Sequence, residues 1–236
     1  MNVLEKNQPF LNEDLVIAQK NLHRRSFMRY TGYGGAALAA GLLLNTTACK
    51  KETVNDEGVN FGTGDYAILN FAYALEQLEA AFYIKLIDSP YNGMSAAEKS
   101  LLTDVRDHEI AHREFFKAAL GAKAIQDLQV NFTSIDFTSR DSVLNTAKSF
   151  EDLGVSAYNG AGRYIADANY LLIAGKIVSV EARHAAYIRD LLSNGSFADS
   201  SVLNANGLDT SRKPREVIAI ASAYVTTPLN ATTLPA

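Results

Sequence analysis

The chain has 236 residues, 47 % hydrophobic and 20 % charged, which is the composition of a globular protein and excludes a disordered or fibrous one. A formal net charge of −4 argues against the clustered basic surface that nucleic acid requires, so no nucleic-acid partner is expected. A single cysteine, Cys49, excludes an internal disulfide framework. Of the four histidines, His23 lies near the N-terminus, which leaves His108, His112 and His184 for the rest of the chain.

The first stretch with a pattern is His23-Arg24-Arg25-Ser26-Phe27-Met28-Arg29, which resembles a twin-arginine export signal built on Arg24 and Arg25. Residues 31–44 follow as an uncharged run rich in Gly, Ala and Leu. Roughly 14 residues suit the apolar region of a signal peptide and fall short of the ~20 needed to span a bilayer. Thr46-Thr47-Ala48-Cys49 resembles a lipoprotein cleavage box, departing from it at Thr46, where the usual box has Leu. These resemblances imply a signal over residues 1–48, export by the twin-arginine route, and a lipid on Cys49. The expected location is periplasmic or cell-envelope, with the lipid anchoring the protein to a membrane it does not cross. Residues 49–64 are mostly polar, with glycines at 58, 62 and 64, and read as a flexible tether. Roughly 185 residues would remain after cleavage, enough for one domain with its own core.

The first helix is expected over Asp65 to about Asp88, with a seam at Leu69, Ala72, Glu76, Glu79, Tyr83 and Leu86 in steps of three and four. A turn at 89–93 contains Pro90 and Gly93. Ser95 and Glu98 fit a capping box that opens a second helix running to about Leu120 and stopping at Gly121. Its apolar face carries Leu101, Leu102, Val105, Phe115, Phe116 and Ala119 together with Glu109 and His112. Residues 122–138 have no helical period and read as an extended connection packed along the domain. The third helix starts near Ser139 or Asp141, with a seam at Leu144, Ala147, Glu151, Gly154, Tyr158, Ala161 and Ile165. After a break at 166–169, the fourth has its seam at Ile173, Ile177, Glu181, His184, Ile188 and Leu191 and ends at 193–195. The extension over 196–236 reads as loop, apart from a short helix after Pro214. The expected fold class is all-α: an antiparallel four-helix bundle over residues 65–195 with one long crossover between helices 2 and 3, plus a short C-terminal helix.

Each helix places a carboxylate on its apolar seam: Glu76 or Glu79, Glu109, Glu151 and Glu181. Burying a carboxylate among Leu and Phe is costly without a cation or several hydrogen bonds. Helices 2 and 4 add a histidine three residues on, so that Glu109/His112 and Glu181/His184 each point from one helical face. One Glu from each of two helices and Glu-x-x-His from the other two is the ligand set of dinuclear carboxylate bundles. Four carboxylates neutralise two divalent ions, and oxygen donors with some imidazole suit iron or manganese. The expected cofactor is therefore two iron ions (or manganese) held by Glu76 or Glu79 with Glu109, His112, Glu151, Glu181 and His184.

The stretch Phe71 to Tyr83 (FAYALEQLEAAFY), the two Glu-x-x-His pairs and Glu151 to Tyr158 (EDLGVSAY) resemble the ferritin-like superfamily. Within it they resemble bacterial ferritin-like proteins related to desiccation-associated proteins, over roughly residues 65–225. In rubrerythrin- and bacterioferritin-like chains a Tyr follows the first ligand by seven residues. Glu76 to Tyr83 fits that interval and Glu151 to Tyr158 repeats it, which favours Glu76 and leaves Glu79 as an alternate or outer residue. Many relatives place an Asp directly before the ligand Glu, where this chain has His108 and Val180. His108 stands open as a third imidazole, a proton shuttle or a solvated neighbour. Tyr83 and Tyr158 stand open as partners of the ligands or as core residues with satisfied hydroxyls.

The resemblance implies a redox metalloprotein, with iron oxidation or peroxide/O2 chemistry as the expected activity and enzyme status left open. The alternative is a non-enzymatic envelope stress or desiccation-related protein whose metal site is structural or vestigial. An iron-storage cage is disfavoured, because a lipidated, tailed subunit is hard to close into a shell. The expected partners are metal ions and the membrane through the lipid, and association of several copies of the chain is allowed.

Overall fold

The structure is a computed structural model, and it describes residues 58–236; Arg24, Arg25 and Cys49 lie outside the described residues. Four long helices carry the fold: α1 (Asp65–Asp88), α2 (Ala96–Leu120), α3 (Arg140–Ala161) and α4 (Ala168–Leu192). A short α5 (Pro214–Ala221) and two two-residue strands, β1 (Val59–Asn60) and β2 (Leu229–Asn230), complete it. The expected antiparallel bundle with a long connection between its second and third helices is what forms. No helix among the described residues is long and apolar enough to cross a membrane.

Local chemistry sets the helix ends. The Ser95 hydroxyl accepts from Glu98 N at 3.1 Å, and the Glu98 carboxylate accepts from Ser95 N at 3.3 Å, closing the capping box at the start of α2. That helix stops at Gly121, whose φ of 52° lies in the left-handed region open to glycine. Ser139 caps α3 and Asp167 caps α4 through their side chains. Helix α3 ends at Ala161, short of the expected Ile165, and a 3-10 turn over Gly162–Tyr164 takes its place. The carboxylate of Asp65 accepts from Ala166 N and Asp167 N, both at 2.8 Å, and so ties the α3–α4 link to the start of α1.

Helix α1 is buried on nearly every side, because α2, α3 and α5 all pack on it. The crossover runs along the same helix and is fastened by two side chains seven residues apart, about two turns. Asn70 donates to the Lys123 carbonyl at 2.9 Å and accepts from Ile125 N at 2.9 Å, while Gln77 accepts from Leu128 N at 2.7 Å. Ile125, Leu128, Phe132 and Ile135 of the crossover are buried. Phe82 of α1 meets Phe132 and Phe150 edge-on, with centroids 5.9 and 5.2 Å away, joining crossover and α3 in one core.

Two expectations need correction, for residues 58–64 and for Leu101. Residues 58–64 belong to the packed domain rather than to the tether: β1 pairs in parallel with β2, and Phe61 is fully buried. The C-terminal extension, with its expected short helix, is bound to the bundle. Arg212 N donates to the Ser156 carbonyl at 2.9 Å, and a Cβ at Gly160 would lie 1.7 Å from the Arg212 carbonyl oxygen. Leu101, placed on the apolar face of α2, is exposed, since the buried stripe runs through Leu102, Val105, Glu109, Phe116 and Leu120.

Candidate metal centre

Each long helix turns a carboxylate into the middle of the bundle: Glu76 from α1, Glu109 from α2, Glu151 from α3 and Glu181 from α4, all with no exposed surface. His112 and His184 stand one turn beyond Glu109 and Glu181 and reach the same space. His112 Nδ1 lies 2.9 Å from Glu181 Oε1 and 3.5 Å from Glu76 Oε2. His184 Nδ1 lies 2.8 Å from Glu109 Oε1 and 3.4 Å from Glu151 Oε2. Two overlapping clusters result, Glu76/Glu109/His112/Glu181 and Glu109/Glu151/Glu181/His184, and in each the donor atoms lie within 4.8 Å of one another. Glu109 and Glu181 belong to both, so one carboxylate from α2 and one from α4 sit between the two halves.

The tyrosine interval seen in the sequence has a different meaning in space. Seven residues is about 10.5 Å along a helix, too far for a tyrosine to serve the glutamate of its own helix. Each serves the opposite one: the Tyr83 hydroxyl donates to Glu151 Oε1, and the Tyr158 hydroxyl donates to Glu76 Oε1. The pairs 76/158 and 83/151 keep one antiparallel register between α1 and α3. Burial, then the carboxylates Glu151 and Glu76 respectively, push both phenols well above their ordinary range, so the hydroxyls keep their protons and remain donors. Each tyrosine occupies one oxygen of its glutamate and leaves the other, Oε2, facing the centre.

Those free atoms are the decisive feature. Glu76 Oε2, Glu151 Oε2, both oxygens of Glu109 and of Glu181, and Nδ1 of His112 and of His184 are all buried without a hydrogen-bond partner among the described residues. Buried polar atoms are ordinarily satisfied. Here the unsatisfied ones converge on one space and are the oxygen and imidazole donors that suit iron or manganese. The residues present fit a metal centre.

Protonation reflects the same crowding. Burial, then the nearby Glu181, raises Glu109 to about 8. Burial would also raise Glu181, but the His112 and His184 imidazoles beside it bring it down to about 2. Burial opposes protonation of both histidines, and the surrounding carboxylates outweigh it and raise them. Cations are what this space lacks, and the imidazoles supply them when no metal does.

A profile of the ferritin-like domain matches residues 64–194. The chain belongs to the ferritin-like domain family. No curated protein matches it. The match covers all four long helices of this ferritin-like domain and stops at the end of α4, so α5, β2 and the loops between them lie outside it.

Two residues left open by the sequence now have places. His108 Nδ1 lies 2.9 Å from His184 Nε2, with the two rings within 8° of parallel. For His184 to offer Nδ1 to the centre its proton must sit on Nε2, where His108 receives it. Val180, at the matching place on α4, gives His112 no such partner. Glu79 lies outside both clusters, yet it is buried, and a Cβ at Gly154 would stand 3.1 Å from its Oε1 and 3.8 Å from Glu181 Oε2. Sequence reasoning missed the His108–His184 contact, because nothing in the chain marks a pair 76 residues apart.

Proposed function

We propose that the protein is a redox metalloprotein whose bundle holds two iron or manganese ions, one in each cluster, with Glu109 and Glu181 shared between them. What supports the reading best is the overlap itself: two ligand sets, each with its own histidine and terminal glutamate, joined by two common carboxylates. Bound iron or manganese supplies one-electron chemistry toward dioxygen or peroxide. The chain's own residues hold that chemistry in place. Tyr83 and Tyr158 fix the terminal glutamates, His108 fixes the tautomer of His184, and burial keeps the four glutamates from bulk water. Oxidation of ferrous iron and disposal of peroxide are the reactions this arrangement suits.

The same reading places the protein in the cell envelope, exported through the Arg24/Arg25 signal and tethered by a lipid on Cys49, in the company of desiccation-associated relatives. A route that carries folded proteins would allow the metals to be enclosed before export. The test is the metal content of the purified protein beside a Glu109→Ala/Glu181→Ala variant. Two metals per chain, absent from the variant, support the reading. Absence of bound iron or manganese under every loading condition refutes it. Mass spectrometry of Cys49 from membrane fractions tests the anchor, and an unmodified cysteine overturns that part.

A further inference from the structure

The two halves of the bundle correspond residue by residue. Glu76 and Glu151, like Tyr83 and Tyr158, are 75 residues apart, and Glu109 and Glu181, like His112 and His184, are 72 apart. Carried over to the apolar residues around the centre, the same shifts reveal an inequality. Beside Tyr83 the core is filled by Phe82, Leu86 and Leu102, none with exposed surface. Their counterparts beside Tyr158 are Ala157, Ala161 and Ala174.

The small side chains leave a void. Phe82 and Phe150 meet edge-on at 5.2 Å, whereas their counterparts, Ala157 and Leu75, both line a cavity of about 20 Å3. All four long helices contribute walls to it. Phe116 of α2, in the place of Ile188, does not make up the lost volume. Ile165 and Ala174 on its rim are half-buried, and Tyr158 at its other end donates to Glu76. The void thus lies between the α3–α4 link and the Glu76/His112 half of the centre. A void of this size admits about one small molecule, and a water there needs roughly two to four polar partners. The walls are aliphatic and aromatic, and the Tyr158 hydroxyl is already engaged. An apolar molecule is favoured in such a space over a polar one.

We propose that this cavity is a binding site for dioxygen, present on the Glu76/His112 side of the centre and closed by larger side chains on the Glu151/His184 side. Hydrogen peroxide, which donates and accepts hydrogen bonds, is disfavoured by the same walls. The binding site does not depend on metal. Its role, to bring dioxygen and not peroxide to the centre, rests on the redox reading above and selects between the two oxidants named there.

The test uses the purified full chain. Dissolved dioxygen is paramagnetic, so raising its pressure broadens the methyl signals of the residues it touches. In metal-free protein the methyl signals of Ala157, Ala161 and Ala174 should broaden several-fold more than those of Leu86 and Leu102. Ala161→Leu, which installs the side chain that Leu86 carries in the other half, should abolish the excess at Ala157 and Ala174. In protein loaded with Fe(II), the same variant should slow oxidation by dioxygen several-fold and leave oxidation by hydrogen peroxide unchanged. Ala161→Val fills less of the void and should act in the same direction if the larger side chain prevents folding. Equal broadening in the two halves overturns the binding site. A filled cavity with undiminished oxidation by dioxygen overturns its role, and so does equal slowing with both oxidants, which is how a general disturbance of the bundle behaves. Wild type that binds no iron overturns the redox reading and the role together, while selective broadening in that protein still upholds the site.

Discussion

Stripped of metal, the protein should lose stability as pH rises from about 5 to 8. Glu109 has its folded-state value raised from 4.5 to about 8, so over this interval the folded state holds a proton that the unfolded chain releases. Stability follows the difference in bound protons and falls with rising pH wherever the folded state binds more. A rise of that size is worth on the order of 5 kcal/mol once the pH passes the folded value. His112 and His184, raised above 6.5, act in the same direction, because the unfolded imidazoles lose their protons first. Glu181, lowered to about 2, acts in the opposite sense but only below about pH 4.5, so it sets the acid limb. The metal-free protein is therefore most stable near pH 5. For a domain of this size 1 kcal/mol moves the melting temperature by ~2–4 °C, so the fall should be about 10–20 °C. The measurement is a series of thermal melts of chelator-treated protein between about pH 5 and 8, repeated after loading with Fe(II) or Mn(II). Loading should flatten the slope, because the metal replaces the protons that neutralise the cluster, and Glu109→Gln should reduce it without metal. A metal-free stability that is level or rises over this interval would refute the assignment of buried, uncompensated charge to the centre.

Removing either phenol tests the crossed tyrosine–glutamate pairs. Tyr158→Phe strands Glu76 Oε1 and Tyr83→Phe strands Glu151 Oε1, each costing about 1.5–3 kcal/mol in denaturant unfolding, as expected for a lost donor to a buried carboxylate. Variants as stable as wild type would show that the hydroxyls do not hold the carboxylates. Gly160→Ala should release the C-terminal extension, because its Cβ would overlap the Arg212 backbone and nothing flexible can move aside. Limited proteolysis should then cut within residues 197–213 while the bundle stays folded, and an unchanged digestion pattern would count against the close contact.

The helices and the inward-facing carboxylates and imidazoles were legible because both rest on short-range periodicity. A seam repeating every three or four residues fixes which face is inward, and Glu109/His112 and Glu181/His184 inherit that face. The boundaries Asp65–Asp88 and Ala96–Leu120 followed from the turn at Pro90 and Gly93, the capping box and Gly121, which act within a few residues of where they stand. What could not be read depends on partners distant in the chain. The packing of residues 58–64 needs β2, more than 160 residues later, and the contact at Gly160 needs the Arg212 carbonyl. The tyrosines show the boundary between the two cases. Their interval was visible, but which glutamate each one serves depended on the α1–α3 register, which no periodicity encodes.

That register also separates what the repeat does from what its departures do. Where the halves agree, at Glu76/Glu151, Tyr83/Tyr158, Glu109/Glu181 and His112/His184, they contribute the same residue types, and each cluster that could hold a metal draws on both halves. Where they disagree, at His108/Val180, the difference falls on one side of the centre. His184 has the His108 imidazole behind it, and the residue of α4 that corresponds to His108 is Val180. An imidazole brings no negative charge of its own, so His184 is oriented by His108 without gaining the basicity that an Asp in that position confers. His112 receives neither. The negative charge of the centre is that of its glutamates, and it is among their buried and unsatisfied oxygens that this chain concentrates it.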